Sequence, residues 1–518
     1  MTSPTTSPDG AAPKTFPREA QVLVVGAGVS GIAVVVALRK QGIEDIVLIE
    51  AAEAFGGTWR DNTYPGCACD VPSLLYSFSF EQNPGWTRFF AQGPEINAYV
   101  SDVARKHGVD ELVQFGTQAL GSRWDEDAKR WIVDTTRGQI RAQWVVAATG
   151  PLQVPKMPEL PGLEDFPGPV FHSATWDHDV DLAGKRVAVV GTGASSIQFV
   201  PKIQPKVKQL VVFQRTASWV LPRPDRPITK VERFLYRRVP GLQNLVRQII
   251  FIVLEGQQFG QRHPRIMRQA QKLGLLHLRR QVKDPKLREA LTPDFTLGCK
   301  RLMMSNTYFG AVTAHNATVV PQALARVNGS TVIAADGSEH EVDVIIFGTG
   351  FHVTDPPIAS AVTGRSGVSL AEGWRGSPQA YLGTMVPDAP NAFLMVGPNI
   401  GNGHTSVFLA VEAQAGFIAD AVRSAAQAGV EAIEVRRDVF ERWNTKVQAG
   451  LKGTVWNDGG CASYYLDATG RNSTIYPWSS IDLRRRMRGF TLGDFHTAGK
   501  GEALPALPVA VGEAAATR

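Results

Sequence analysis

The chain reads as an α/β protein with two Rossmann-like dinucleotide-binding domains and a helical insertion. Two β-branched apolar runs, beginning at Gln21 and Arg186, each enter a glycine-rich turn and then an apolar helix. Between them and the C-terminal third, residues 223–295 lose strand character and take on helical periodicity. Strand, glycine turn, helix and second strand is the order that a mononucleotide-binding half requires, and it occurs twice.

The first unit is Gln21-VLVV followed by Gly26-Ala-Gly28-Val-Ser-Gly31, the helix IAVVVALRKQG, and a buried run Ile46-VLI ending in Glu50. The three glycines permit a tight turn, close approach of a pyrophosphate, and close packing of helix on strand. The helix N-terminus adds free amides and a positive dipole end for phosphate. Glu50, at the end of the second strand, is placed to accept hydrogen bonds from a ribose 2′-hydroxyl.

The second unit is Arg186-VAVV, then Gly191-Thr192-Gly193-Ala-Ser195-Ser196-Ile-Gln198, then the strand Leu210-VVF-Gln-Arg215-Thr216. Ser196 stands where the third glycine is expected, and a small residue there still lets helix and strand pack closely. Glu50 lies 24 positions after Gly26, and Arg215 lies 24 after Gly191, so the count predicts equivalent ends of equivalent strands. A carboxylate there suits a free 2′-hydroxyl, whereas a guanidinium suits a 2′-phosphate. The first site should therefore take a nucleotide with a free ribose 2′-hydroxyl, which the resemblance carried by Gly56-Gly57-Thr58-Trp59 to flavoprotein monooxygenases makes the adenosine half of FAD, and the second NADPH. Residues 18–150 and 345–496 are expected to form the FAD domain in two segments, and residues 151–222 and 296–344 the NADP domain.

Phe234-LYRRV, Leu242-QNLVRQIIFIVLE and Ile266-MRQAQKLGLLHLRR read as amphipathic helices of the insertion, residues 223–295. From Lys230 to Leu291 there are 14 Lys/Arg against 4 Asp/Glu. Two readings stand for this basic unit: a cap over a substrate cleft with its charges solvated, which is the plainer, or weak contact with a membrane surface. Its apolar run is too short to span a bilayer.

Three further segments carry a family resemblance. Between the two glycine turns lies Phe166-Pro-Gly168-Pro-Val-Phe-His172-Ser-Ala-Thr-Trp176-Asp177. After the first unit come Gly56-Gly57-Thr58-Trp59 and Tyr64-Pro-Gly66-Cys-Ala-Cys-Asp70-Val-Pro-Ser-Leu-Leu-Tyr76. After the insertion comes Gly298-Cys-Lys300-Arg301. In this order they resemble the type I Baeyer–Villiger monooxygenases, and the F-x-G-x-x-x-H-x-x-x-W-D segment resembles that family's fingerprint. Standing alone, it also suits a loop that packs Phe166, Phe171 and Trp176 into a domain junction.

The resemblance implies an NADPH-dependent flavoenzyme that converts ketones to esters or lactones with O2 through a C4a-peroxyflavin. By it, Gly57, Thr58 and Trp59 lie along FAD, Tyr76 contacts FAD, and Lys300 helps bind NADPH. Arg301 and Asp70 form the catalytic pair, the permanently charged guanidinium stabilising an oxygen anion without readily donating a proton. Ala68 stands where the family often has arginine, which removes one contact to the nicotinamide cofactor. Ala148-Thr149-Gly150 and Gly348-Thr349-Gly350 resemble the hinges between the domains, with Gly348 replacing an alanine.

Rival readings differ in what they require. A disulfide reductase needs two cysteines about one helical turn apart beside the flavin, and Cys67-Ala-Cys69 is not that pattern. A flavin-containing monooxygenase acting on sulfur or nitrogen usually carries Phe or Tyr at position 176. A non-oxygenating NADPH oxidase, or a flavin-binding sensor, would not need Arg301.

The composition sets the remaining bounds. With 518 residues, 44% hydrophobic and 20% charged, the chain has ample core for about three domains. A net charge of +6 invites a nucleic-acid partner, but no such module accompanies it and none is expected. Four cysteines are too few for a disulfide framework and suggest a reducing cytoplasm. No metal site is expected. Residues 1–17 carry no apolar signal segment, and both they and 497–518 read as disordered. His404 reads as structural, with a substrate role left open, and the aromatic residues of the segment 459–478 are candidates to face the substrate.

Overall fold

The computed structural model describes residues 16–506. The first unit comprises β1 (Glu19–Val25), α1 (Val29–Lys40) and β2 (Ile46–Ile49). It continues through β3 (Val113–Gln114), β4 (Ala119–Asp125), β5 (Arg130–Thr135) and β6 (Gly138–Ala147). The second begins with β7 (Val170–His172), β8 (Arg186–Val190), α2 (Ala194–Ile203) and β9 (Gln209–Phe213). The insertion supplies α3 (Lys230–Arg238), α4 (Leu242–Gln261), α5 (Pro264–Gln281) and α6 (Pro285–Ala290). The chain then adds β10 (Ala317–Val320) and β11 (Val344–Phe347) to the second sheet, and β12 (Val362–Thr363), β13 (Ala392–Leu394) and α7 (Val407–Gln427) to the first unit. A terminal pair, β14 (Val430–Val435) and β15 (Phe495–Gly499), closes it.

The first sheet runs β12-β4-β5-β6-β1-β2-β3, with β13 also on β6. Its parallel core aligns Val25 with Ile49 and with Ala147, and Ala147 with Leu394. Four chain segments therefore end together at one edge, where Gly26, Glu50, Ala148 and Met395 follow. Helix α1 is buried through Ile32, Val34, Val35 and Leu38, each at 0% exposure, and each such side chain contributes about 1.5–3 kcal/mol. Gly31 is required: an added Cβ would stand 1.9 Å from the Gly26 carbonyl oxygen.

The second sheet, β10-β9-β8-β11-β7, is parallel throughout. Val190, Phe213 and Phe347 stand level, with Phe347 beside His172. Strand β11 thus belongs to the NADP-type sheet, and the expected division between residues 344 and 345 cuts through it. The segment instead runs to about the Gly348 hinge, because Ile345 and Phe347 pack with Ala188, Val211 and Phe213 on one face of that sheet.

Two other expectations need correction. Residues 1–15 and 507–518 lie outside the described residues, but 497–506 do not. Thr497 to Gly499 pair with β14, and Ala498 and Leu504 are buried in the cluster behind the first sheet. The expected disorder therefore does not begin at residue 497. Cys299 and Cys461, 162 residues apart, form a disulfide, which the low cysteine count gave no reason to expect.

Candidate active site

Both nucleotide-type helices start in the same way. Gly28 caps α1 and Gly193 caps α2, neither with a side-chain hydrogen bond. Their first amides are free of side-chain caps and available to phosphate. By contrast, α3 begins with a full Thr229–Glu232 capping box. Gly26 and Gly191 have φ of +106° and +104°, in the region that favours glycine. An added Cβ would stand 2.7 Å from the Ala148 oxygen in the first case and 2.6 Å from the Gly348 oxygen in the second. Each glycine turn is thus pressed against its own hinge segment.

The acid and base positions are related but not equivalent. Val25 pairs with Ile49, whereas Val190 pairs with Phe213, so the counterpart of Glu50 is Gln214 and Arg215 lies one residue further on. Glu50 is buried and accepts from the Ala27 amide at 2.8 Å, the Ala52 amide at 3.0 Å and the Arg60 guanidinium at 3.0 Å. A carboxylate offers about four acceptor positions, which leaves capacity for a hydroxyl. Gln214 is buried and donates to the Ala290 carbonyl. Arg215 is exposed and makes no hydrogen bond or ion pair with the described residues. Lys300 is lowered by burial and then by the nearby Arg215, so the two cations share one neighbourhood, as a phosphate dianion requires.

The pair expected to be catalytic, Asp70 and Arg301, forms across 231 positions. Arg301 donates through Nε to Asp70 Oδ2 at 2.9 Å and through Nη2 to Oδ1 at 2.6 Å. Its Nη1 faces the Asn402 carbonyl at 3.4 Å. The Asp70 carboxylate raises the Arg301 pKa above its already high ordinary value, so the guanidinium stays charged at every working pH. The adjoining Cys69 thiol is pushed up by burial. Trp59 donates to the Tyr76 hydroxyl at 3.1 Å, and Tyr76 packs edge-on against Phe408 at the start of α7.

The comparisons agree with this geometry. Residues 19–367 match the family model described as flavin-binding monooxygenase-like. A Baeyer–Villiger monooxygenase of Streptomyces coelicolor is 47% identical over 477 residues, 92% of each chain. One of Pseudomonas aeruginosa is 44% identical over 482 residues, again 92% of each. The chain belongs to the Baeyer–Villiger monooxygenase family. Among solved structures, the cyclohexanone monooxygenase of Rhodococcus sp. Phi1 bound to NADP+ superimposes with a TM-score of 0.83 at 26% identity, covering 93% of this chain and all of that one. OTEMO in complex with FAD and NADP gives 0.82 at 26%, with the same coverage.

Baeyer–Villiger monooxygenases use FAD and NADPH, and the residues present fit both. Gly28 and Gly57 face each other so closely that a Cβ on Gly57 would stand 3.2 Å from the Gly28 Cα, leaving a side-chain-free cleft at the start of α1. Beside Arg301, both amide atoms of Asn402 and the Thr405 hydroxyl are buried without partners among the described residues. Buried polar atoms of this kind call for a polar ligand. Tyr464 and Tyr465, from the aromatic segment expected to face the substrate, lie near enough to Arg301 to couple to its charge. Asn402 and Thr405 were not singled out in the sequence; their only signal was Gly401-Asn402-Gly403 ahead of a helix.

Several expected site residues have other duties. Gln198 donates to the Ala68 carbonyl at 2.9 Å and accepts from the Ala68 amide at 3.2 Å and the Tyr64 hydroxyl at 3.0 Å. Both ends of its amide thus clamp the Asp70 segment to α2 instead of facing a cofactor. Although Ala68 brings no arginine, Arg223 donates to the Cys69 carbonyl at 2.8 Å. The Thr192 hydroxyl faces the Thr216 carbonyl and Ser218, while Ser195 lies near Tyr64.

The fingerprint is the edge strand β7 and the turn after it. Phe166 packs on one face of the sheet, and Phe171 and Trp176 on the other, with Trp176 5.2 Å from Phe199. Gly168 is obligatory, since a Cβ would stand 2.2 Å from the Asp343 oxygen. The buried His172 accepts from the Ala174 amide at 3.1 Å and lies against Gly350 and Phe351 of the hinge. Burial lowers its pKa to about 4. Asp177 is exposed and caps the Asp179 amide. This segment braces the hinge. His404 is structural too, its Nε2 3.1 Å from Glu255 of α4.

Proposed function

We propose that the chain oxidises a ketone, with NADPH, a proton and O2, to an ester or lactone, NADP+ and water, at the Asp70–Arg301 pair. The observation that carries this is the bidentate pair itself, held where three distant segments meet. The Asp70 segment is clamped by Gln198, Arg301 leaves the insertion, and Asn402 opens the turn before α7. Bound FAD, reduced by NADPH, supplies the oxygen-activating chemistry.

The protein's own residues do the rest. Arg301 presents a fixed positive charge to the reacting oxygens and withholds its protons, so negative charge developing there is stabilised but not quenched. Asp70 holds the plane of the guanidinium through two hydrogen bonds. The amides at the start of α1 and α2 receive the phosphates, Glu50 receives a ribose hydroxyl, and Arg215 with Lys300 receives the 2′-phosphate. Among the described residues no helix is long and apolar enough to cross a membrane. The low cysteine count assigns the reaction to the cytoplasm, and the Cys299–Cys461 bridge stands against that assignment.

The test uses FAD-loaded protein with NADPH, O2 and a panel of linear, cyclic and aryl ketones plus a thioether, with products followed by mass spectrometry. Ester or lactone is expected from the native chain and not from Arg301→Ala. Sulfoxide without ester, or hydrogen peroxide alone across the panel, would overturn the assignment.

A further inference from the structure

Helix α4 turns a charge-free apolar face to water. Its inward side is mixed: Phe251 is buried, with Val246, Ile250 and Leu254 against the core, and among them Gln243 donates to the Asn83 carbonyl, Arg247 to Ser77, Gln258 to Pro477 and Gln261 to Gly403. Its two charged residues, Arg247 and Glu255, both point inward, with Glu255 bound to His404 and the Ser480 amide. The outward face carries Leu245, Ile249, Ile252, Val253 and Phe259, each 53–67% exposed, and no charged residue. Leu245, Ile249, Ile252, Gly256 and Phe259 recur at alternating steps of four and three, which places them in one stripe about 20 Å long.

A water-facing helix normally turns charged residues to solvent. The neighbouring segments are apolar on the surface too: of the 20 large exposed apolar residues among the described residues, 12 lie between Val231 and Leu276.

The flanks of this stripe are cationic. Arg237 and Arg238 at the end of α3, and Arg262, Arg265, Arg268 and Lys272 around α5, are exposed and have no carboxylate partner among the described residues. We propose that this face of the insertion docks on an anionic phospholipid surface, with the α4 stripe in the acyl boundary and the flanking arginines among the phosphates.

Charge selects this occupant. A second copy of the chain, related by a twofold axis, would bring the same unpaired arginines against one another. A bilayer accepts apolar side chains without a matching groove and surrounds them with anions. The inference rests on α3–α5 alone and is independent of the reaction assigned above.

The full FAD-loaded chain is mixed with vesicles of phosphatidylcholine alone, or with a third of the lipid replaced by phosphatidylglycerol, and bound protein is separated by flotation. Binding is expected to the anionic vesicles and to weaken in high salt. An Ile252→Gln/Val253→Gln variant should bind about tenfold more weakly or worse, and each of Arg262→Gln and Arg265→Gln about fivefold more weakly, all with unchanged FAD content. Absence of binding to anionic vesicles at low salt would overturn the proposal. So would binding that neither the apolar nor the arginine variants reduce, or a dimer in light scattering that the Ile252→Gln/Val253→Gln variant dissociates.

Discussion

Two departures, Ser196 from the G-x-G-x-x-G turn and Gly348 from the family's hinge alanine, are one steric event. A Cβ added at Gly348 would lie 2.2 Å from the Ser196 hydroxyl oxygen, and its other neighbours would stand at 3.5 and 3.6 Å, in ordinary contact. Relative to the 3.4 Å lower limit of such contact, the hydroxyl must retreat by 3.4 − 2.2 = 1.2 Å. Ser196 is 1% exposed and its hydroxyl has no hydrogen-bond partner, so little room is available. Gly348 does not have a positive φ, and alanine there meets no backbone strain.

Gly348→Ala should therefore cost about 1–3 kcal/mol by overpacking, read as a lower urea midpoint. Ser196→Gly should be close to neutral. It loses about 0.5–1 kcal/mol of helix propensity and sheds an unpartnered buried hydroxyl whose burial costs about 1–3 kcal/mol. In the double variant the penalty at residue 348 should vanish, giving a coupling of about 1–3 kcal/mol, equal to that penalty. Urea unfolding of the four proteins, with KM for NADPH measured alongside, reads this directly. An equal penalty for Gly348→Ala in both backgrounds would refute the steric argument.

The same geometry sets other expectations. Arg215→Ala should raise KM for NADPH about 10–100-fold, the loss of a charge-assisted bond, while leaving NADH kinetics unchanged; equal loss with both cofactors would remove Arg215 from the 2′-phosphate site. Asp70→Asn keeps the shape and deletes the charge, so ester formation should fall about 100-fold while NADPH is still consumed with release of hydrogen peroxide. Unchanged coupling of NADPH to product would show that Asp70 does not position Arg301. The depressed His172 pKa means that the unfolded chain binds a proton which the folded chain refuses. Its stabilising effect is complete above about pH 6.5 and is lost progressively as pH falls towards 4, by up to about 3 kcal/mol. His172→Gln should flatten the stability profile in that window, and an unaltered slope would assign acid sensitivity elsewhere. Finally, dithiothreitol should destabilise the native protein, by at most about 5 kcal/mol of chain entropy for so long a loop, seen as a lower unfolding temperature. It should leave a Cys299→Ala/Cys461→Ala variant unaffected, whereas equal sensitivity of both would exclude the bridge as the cause.

The features legible before the chain folds are those that short-range physics dictates. The two strand–turn–helix units, the demand for glycine at positions 26, 31 and 191, the acid at Glu50 and the three helical runs of the insertion all follow from periodicity and backbone sterics within a few dozen residues. Motif order then named the family and the Asp70–Arg301 pair.

Tertiary structure decided whatever depends on which distant atoms become neighbours. Counting placed Arg215 level with Glu50, yet the strand register makes Gln214 the counterpart, because the connection between β8 and β9 is one residue shorter. Gln198 belongs by motif to a nucleotide helix, but packing spends its amide on the Asp70 segment. Periodicity revealed a stripe on α4 without saying which side meets water, and only the backbone carbonyls offered by the FAD domain turned its glutamines and Arg247 inward. The Cys299–Cys461 bridge and the Ser196–Gly348 contact likewise join residues more than a hundred positions apart. Local propensity carries no information about such pairings; burial and steric exclusion in the folded chain select them.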